Sequence, residues 1–211
     1  MKILVIGASK GTGALAVKEA LSRGHEVTAL ARSPEKLTLD HPKLTKLKGD
    51  FHDRNSVAQA VKGHDAVIVT ASVSKLKDFK NKPDYFSLGT GYVIDALKSH
   101  GIKRLVVLGA LGTGDSRALQ PWFVRKLLLD GILRHAFADH EREEALVRAS
   151  GLHWTIARPG RLTDGPGRRQ YRKTAALEAV PSSIARADVA DFLVEAATTD
   201  SWWQKAVQLG G

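Results

Sequence analysis

The chain has 211 residues and no cysteine. That absence excludes disulfides, thiolate-bound zinc, iron–sulfur clusters and thiol catalysis together. It also fits a reducing compartment, so a cytoplasmic address is expected. Long apolar runs are missing too, and none approaches the ~18–20 residues a bilayer span requires. The opening run Ile3-Leu4-Val5-Ile6 is too short for a secretory leader and leads straight into glycines, so no membrane partner is expected. The eight histidines are scattered, and His135 and His140, five apart, do not share a helical face, so no metal is expected. Acidic residues are scarce: 22 against 32 lysines and arginines, a formal net charge of +10. Such a surplus suits nucleic acid, a charged membrane surface or a pocket for an anionic ligand.

What is present reads as a globular chain, 43% hydrophobic and 26% charged. Apolar runs recur at 3–6, 25–30, 44–47, 66–69, 105–108 and 154–157. They are rich in Val and Ile and mostly lack alternation, as strands covered on both faces do. Helical stretches lie between them, among them 12–22, 84–100 and 140–150, each followed by a glycine suited to a helix end: Gly24, Gly101 and Gly151. A further helix is expected at 186–197 and a last strand at 206–209. The pattern predicts an α/β fold: a Rossmann-type, doubly wound, mostly parallel sheet with helices on both faces and a small C-terminal substrate region. A single domain over 1–211 is expected, with substrate-side insertions at about 110–138 and 160–183.

The first strand runs into Gly7-Ala8-Ser9-Lys10-Gly11-Thr12-Gly13 and then a helix. A pyrophosphate approaches backbone only where side chains are missing, and a helix N-terminus offers it free N–H groups. In this pattern Gly7 suits the tight turn, Gly11 the close approach and Gly13 the packing of helix on strand. The strand–turn–helix setting is what gives the glycine triplet weight. NAD sites place an acid at the end of the second strand for the ribose 2′-OH. Here Arg32 stands there, with Lys36 close behind and Lys10 in the first loop. Three cations favour a 2′-phosphate, so NADP(H) is expected over NAD(H); the alternative is solvated surface charge.

In order along the chain, the Gly7 to Gly13 loop, Arg32, Gly49-Asp50-Phe51, Asp65-Ala66-Val67-Ile68-Val69, Gly89-Thr90, Lys103-Arg104-Leu105-Val106-Val107, Ser150-Gly151-Leu152 and Thr155-Ile156-Ala157-Arg158-Pro159-Gly160 resemble one superfamily. It is the atypical short-chain dehydrogenases/reductases, with the NmrA-like proteins and the biliverdin reductase B–flavin reductase group. The resemblance implies that Asp50 and Phe51 flank an adenine and that Ala71 and Ser72 line the cofactor. It places Leu108, Gly109 and Ala110 near the nicotinamide, with Pro159 and Gly160 on the other side. His140 stands where many relatives have a lysine and flavin reductases a histidine; otherwise it is a solvent-facing residue of a charged helix.

Two departures shape the chemistry. None of Tyr85, Tyr92 or Tyr171 has a lysine four residues on, and Ala110 replaces a serine frequent after the fifth strand. Ketone reduction needs an acid for the developing alkoxide. A flavin or quinone delocalises the charge, so positioning alone can suffice. The expectation is an NADPH-dependent oxidoreductase with a flavin-like or quinone-like acceptor, a small planar or anionic substrate. The alternatives are a non-catalytic NmrA-like redox sensor and an epimerase-like nucleotide-sugar enzyme. Arg161 is a candidate for stabilising an anionic product, or a surface arginine. Trp122-Phe123 and the run Leu127-Leu128-Leu129 form an aromatic lid, or pack on the sheet or a second subunit. Trp202-Trp203 are expected to pack the final helix and strand. Arg168-Arg169-Gln170-Tyr171-Arg172-Lys173 suits an anionic ligand or solvated surface; nucleic acid is disfavoured because no recognition helix accompanies it. A monomer or homodimer is expected.

Overall fold

Alternate residues of the first strand go to opposite faces of a central sheet: Ile3 and Val5 into one apolar cluster, Leu4 and Ile6 into another. All four are buried, which explains a run without alternation. The computed structural model of the chain describes residues 1–72 and 83–211. Its strands are β1 (Lys2–Ile6), β2 (Glu26–Ala31), β3 (Leu44–Lys48), β4 (Ala66–Val69), β5 (Arg104–Leu108), β6 (His153–Pro159), β7 (Arg161–Thr163), β8 (Arg172–Thr174), β9 (Ser183–Ala185) and β10 (Lys205–Gly210). Eight of them form one sheet in the order β3-β2-β1-β4-β5-β6-β10-β8. Every pairing in it is parallel except β10 with β8. The strand order reverses between β1 and β4, the place where such doubly wound, Rossmann-type sheets open a crevice. Strands β7 and β9 form a separate parallel pair.

Helices α1 (Gly11–Ser22) and α5 (Arg186–Thr198) cover one face, with Val17, Ala20, Phe192 and Leu193 in its cluster. Helices α2 (Arg54–Val61), α3 (Tyr85–Ser99) and α4 (Arg134–Ala149) cover the other, through Val57, Val93, Leu97 and Val147. Trp202 packs on Phe192 of α5 and Trp203 stacks on His153 at the start of β6, so both tryptophans close that end of the sheet. Among the described residues no helix is long and apolar enough to cross a membrane.

Several boundaries differ from the sequence reading. Helix α4 begins at Arg134, six residues before the expected start. Helix α2 lies between two of the expected strands, with bounds the sequence reading did not name; its signal is Asp53, whose carboxylate accepts from the Asn55 and Ser56 N–H groups at 2.9 and 3.3 Å. The segment around Leu127 is a short α-turn, Trp122–Val124, running into a π-helical stretch, Arg125–Ile132. The Leu133 N–H reaches back five residues to the Leu128 carbonyl at 2.8 Å. Only Leu129 of this stretch is buried; Trp122 is 70% exposed and Ile132 69%. The second expected insertion is partly built into the sheet, because β8 pairs along β10.

Candidate functional site

Gly7, Gly11 and Gly13 are required for three different physical reasons. Gly7 has φ +85°, and a Cβ there would lie 2.8 Å from the Ala71 nitrogen. It marks where the loop after β1 crosses the loop after β4. A Cβ on Gly13 would lie 2.4 Å from the Gly7 oxygen and 2.5 Å from Thr70 Oγ1, so α1 can seat on this loop only without a side chain. Thr70 in turn donates its hydroxyl to the Ile6 carbonyl at 2.8 Å, fixing β4 to β1. Gly11 is unlike both. At φ +57° its nearest neighbour would be Arg186, 3.9 Å away, so the space above its backbone is clear.

That clear space belongs to a cavity of about 550 Å³ at the carboxyl ends of β1, β2 and β4. Ser9, Lys10, Gly11 and Thr12 form its floor with Gly7. Arg32, Ser33 and Lys36 line it beyond the end of β2. Asp50 and Phe51 come from the turn after β3, Ala71 and Ser72 from the segment after β4, and Leu108 from the end of β5. The expected residues of five separate segments therefore meet in one place. Arg32 and Lys36 are exposed and have no ion-pair partner among the described residues. Asp50 accepts from the His52 N–H at 3.0 Å, and Phe51 packs its ring against the place where Gly89 lacks a side chain.

The cavity also holds residues outside the expected set. Tyr85, set aside for want of a lysine four residues on, lines it and donates to the Ser72 carbonyl at 3.3 Å. Burial raises its phenol above the ordinary value and the Asp50 carboxylate adds to this, while the charge of Arg32 pulls the other way. Leu162, Asp164 and Arg186 close the opposite wall. Arg186 is the first residue of α5, directly after β9, a second strand-to-helix junction at the carboxyl edge; that junction is the signal which could have revealed it.

Other expected residues stand off from the cavity. The Gly109 N–H donates to the Ala157 carbonyl at 2.8 Å, and the Leu111 N–H to Pro159 at 2.9 Å, so Gly109, Ala110 and Pro159 join the ends of β5 and β6. Arg161 is exposed on β7. His140 does not face solvent: it is 9% exposed, stacks on Phe86 at 3.9 Å between ring centroids, and its Nδ1 lies 2.8 Å from Glu143. Glu143 also accepts from the buried Thr90 hydroxyl at 2.7 Å. Asp139, one residue before His140, accepts from the Phe86 N–H at 2.6 Å and so supplies the cap that α3 lacks locally. Glu144 grips Arg158 of β6 through Nε at 2.8 Å and Nη2 at 2.5 Å, while Arg158 Nη1 donates to Asp115. The α4 helix thus turns Asp139, Glu143 and Glu144 inward, with His140 among them. The spacing, 139 with 143 and 140 with 144, is the i, i+4 repeat of a buried stripe.

Three cations of the basic run have acidic partners. Arg169 meets Glu19 at 2.9 Å, Arg172 meets Glu178 at 2.5 Å and Lys173 meets Glu195 at 2.5 Å. Tyr171 donates to Asp191 at 2.6 Å, and burial together with that carboxylate pushes its phenol far above the ordinary value. Arg169 and Lys173 thus reach acids of α1 and α5, and Arg172 reaches one in the loop after β8. Among the described residues no group of three or more His, Asp or Glu side chains could hold a metal ion.

A family model described as NAD(P)H-binding matches residues 7–200. A Bacillus subtilis protein, YhfK, described as an uncharacterized sugar epimerase, is 30% identical over 204 residues, covering 92% of this chain and 86% of its own. ChuY of Escherichia coli O157:H7, an anaerobilin reductase, is similar in structure with a TM-score of 0.81 and 25% identity, covering 100% of this chain and 97% of its own. A short-chain dehydrogenase/reductase of Veillonella parvula, solved with NADP, shares the fold at a TM-score of 0.82 and 19% identity, covering 100% of this chain and 94% of its own.

Proposed function

Because this chain belongs to the NAD(P)H-binding family, we propose that it is an NADPH-dependent reductase that passes hydride to a flavin-like or quinone-like acceptor. The observation that carries the cofactor choice is the end of β2. Arg32 and Lys36 line the cavity there, and no carboxylate follows the strand before Glu35, which is absent from the lining. An arginine fork matches a phosphate in two hydrogen bonds, whereas a ribose 2′-OH calls for an acceptor. The cradle fits the rest of the dinucleotide: Gly11 leaves its backbone open, and α1 begins at that residue with free N–H groups. Bound NADPH supplies the hydride. The chain's own residues hold it and shape the acceptor's place.

The acceptor class follows from what surrounds the end of β5. Leu108, Gly109 and Ala110 offer no hydroxyl. Tyr85 is hydrogen-bonded to Ser72 and sits near Arg32 and Asp50, the end of the cavity assigned to the adenine ribose. It is therefore badly placed to protonate an alkoxide. The insertion after β5 presents Trp122, Phe123 and Leu127 unburied, an apolar surface suited to a planar partner.

Two measurements test this reading. NADPH mixed with the protein and a panel of flavins, quinones, dyes and ketones should be oxidised with the first two classes and not with ketones. Tight NADPH binding with no turnover on any acceptor would sink the reductase and leave the NmrA-like sensor standing. Arg32→Glu should weaken NADPH about 10- to 100-fold and change NADH far less. Equal losses would show that Arg32 does not touch the 2′-phosphate.

A further inference from the structure

Arg186 and Asp164 stand side by side in one wall of the cavity, each directly after a strand of the paired β9 and β7. We infer that Arg186 is a clamp on the cofactor's pyrophosphate and that Asp164 is a competing latch that holds the clamp until the pyrophosphate displaces it. This rests on the cofactor reading above and assigns the closing step of that site.

Three observations carry it. The Cδ and Nε of Arg186 lie 3.9 Å from the point where a Gly11 Cβ would stand, so the guanidinium borders the clear space over the glycine loop. Both Arg186 and Asp164 line the cavity. Arg186 Nη1 donates to Asp164 Oδ1 at 2.5 Å, and the Asp164 side chain is 89% exposed. A solvated carboxylate is a weak partner because water screens the pair and already satisfies the oxygens. A diphosphate held against the glycine backbone brings more charge and more acceptor oxygens to the same fork, so the guanidinium gains by exchanging one for the other. Arg32 and Lys36 act at the far end of β2. Arg186 therefore reads the part of the molecule that NADH and NADPH share.

Calorimetric titration of the full chain with NADPH and with NADH tests the assignment. Arg186→Ala should weaken both nucleotides by the same factor, about 10- to 100-fold. Arg186→Lys keeps the charge and loses the fork, so its loss should be smaller. Asp164→Asn should tighten both about 2- to 5-fold, because the latch is gone and the clamp remains. Unfolding midpoints without nucleotide control for folding, and the exposed Asp164 gives a variant that tests the latch even if Arg186→Ala folds poorly. Unchanged affinity in Arg186→Ala, or a loss confined to NADPH, overturns the clamp while leaving the cofactor reading intact. Unchanged or weaker binding in Asp164→Asn overturns the latch. If the unaltered protein binds neither nucleotide, the cofactor reading falls and the clamp with it.

Discussion

Glu144→Ala is expected to destabilise the protein by about 3–5 kcal/mol, read as a lower denaturant midpoint at unchanged slope. The reason lies in Arg158, which is 1% exposed and held by two bonds from Glu144. Removing the carboxylate strands a guanidinium that cannot be deprotonated and cannot reach water. Asp115, its other partner, is more than half exposed and screened, so it compensates little. Replacing Arg158 and Glu144 together by Met and Leu should recover most of the loss, because a buried pair gives little net stability over apolar side chains of similar volume. If the single variant lost less than about 1 kcal/mol, the pair would be solvated in solution. A smaller pH effect accompanies it. Burial alone would raise the Asp115 carboxyl; the hydrogen bond and charge of Arg158 outweigh it and hold it below its ordinary 3.8. A depressed carboxyl adds stability that is fully present above the unfolded value and is lost as pH falls through the folded one. Asp115 thus contributes at neutral pH and ceases to below its own lowered value, and Asp115→Asn should flatten that acid limb.

The glycine loop gives the second large effect, and it separates folding from binding. Gly13→Ala should cost about 1–3 kcal/mol because its methyl would stand 2.4 Å from the Gly7 oxygen, an atom of backbone that cannot swing aside. Shifting α1 to relieve this also displaces the N–H groups at its start, so NADPH binding should fall with stability. Gly11→Ala should behave differently. Its methyl meets nothing closer than 3.9 Å, and the cost is the left-handed backbone alone, about 1–2 kcal/mol. Yet that methyl projects where a diphosphate must approach, so binding should be lost from a protein that still folds. Thermal unfolding and NADPH titration on both variants check the contrast. Two variants with the same ratio of stability loss to binding loss would contradict it.

What could be read from the sequence was what local chemistry decides. Gly7, Gly11 and Gly13 announce a backbone constraint within one turn of chain, and Arg32 is placed by the strand it follows. The two-sided burial of Ile3 to Ile6 was legible because both faces demand the same residue types. What could not be read depends on partners remote in the chain. The acids of α4 look like a solvated face until Arg158, Thr90 and the Phe86 N–H are brought against them. The basic run at 168–173 reads as a ligand site or a solvated surface until Glu19 and Glu195 arrive from two helices to meet Arg169 and Lys173. Arg186 enters the cavity only because the junction of β9 and α5 is set beside the glycine loop, over 170 residues away along the chain.

The two free margins of the sheet give the surplus positive charge one more meaning. One margin is β3, with Lys46 and Lys48 along it; the other is β8, with Arg172 and Lys173. Unpaired margins invite strands of a neighbouring copy to add on. Pairing of β3 with the β3 of another copy would bring lysine against lysine across a spacing of about 5 Å, whereas Arg172 and Lys173 of β8 already meet Glu178 and Glu195. On the β3 margin the lysines therefore disfavour the joining of two copies edge to edge, and that repulsion should weaken as salt rises.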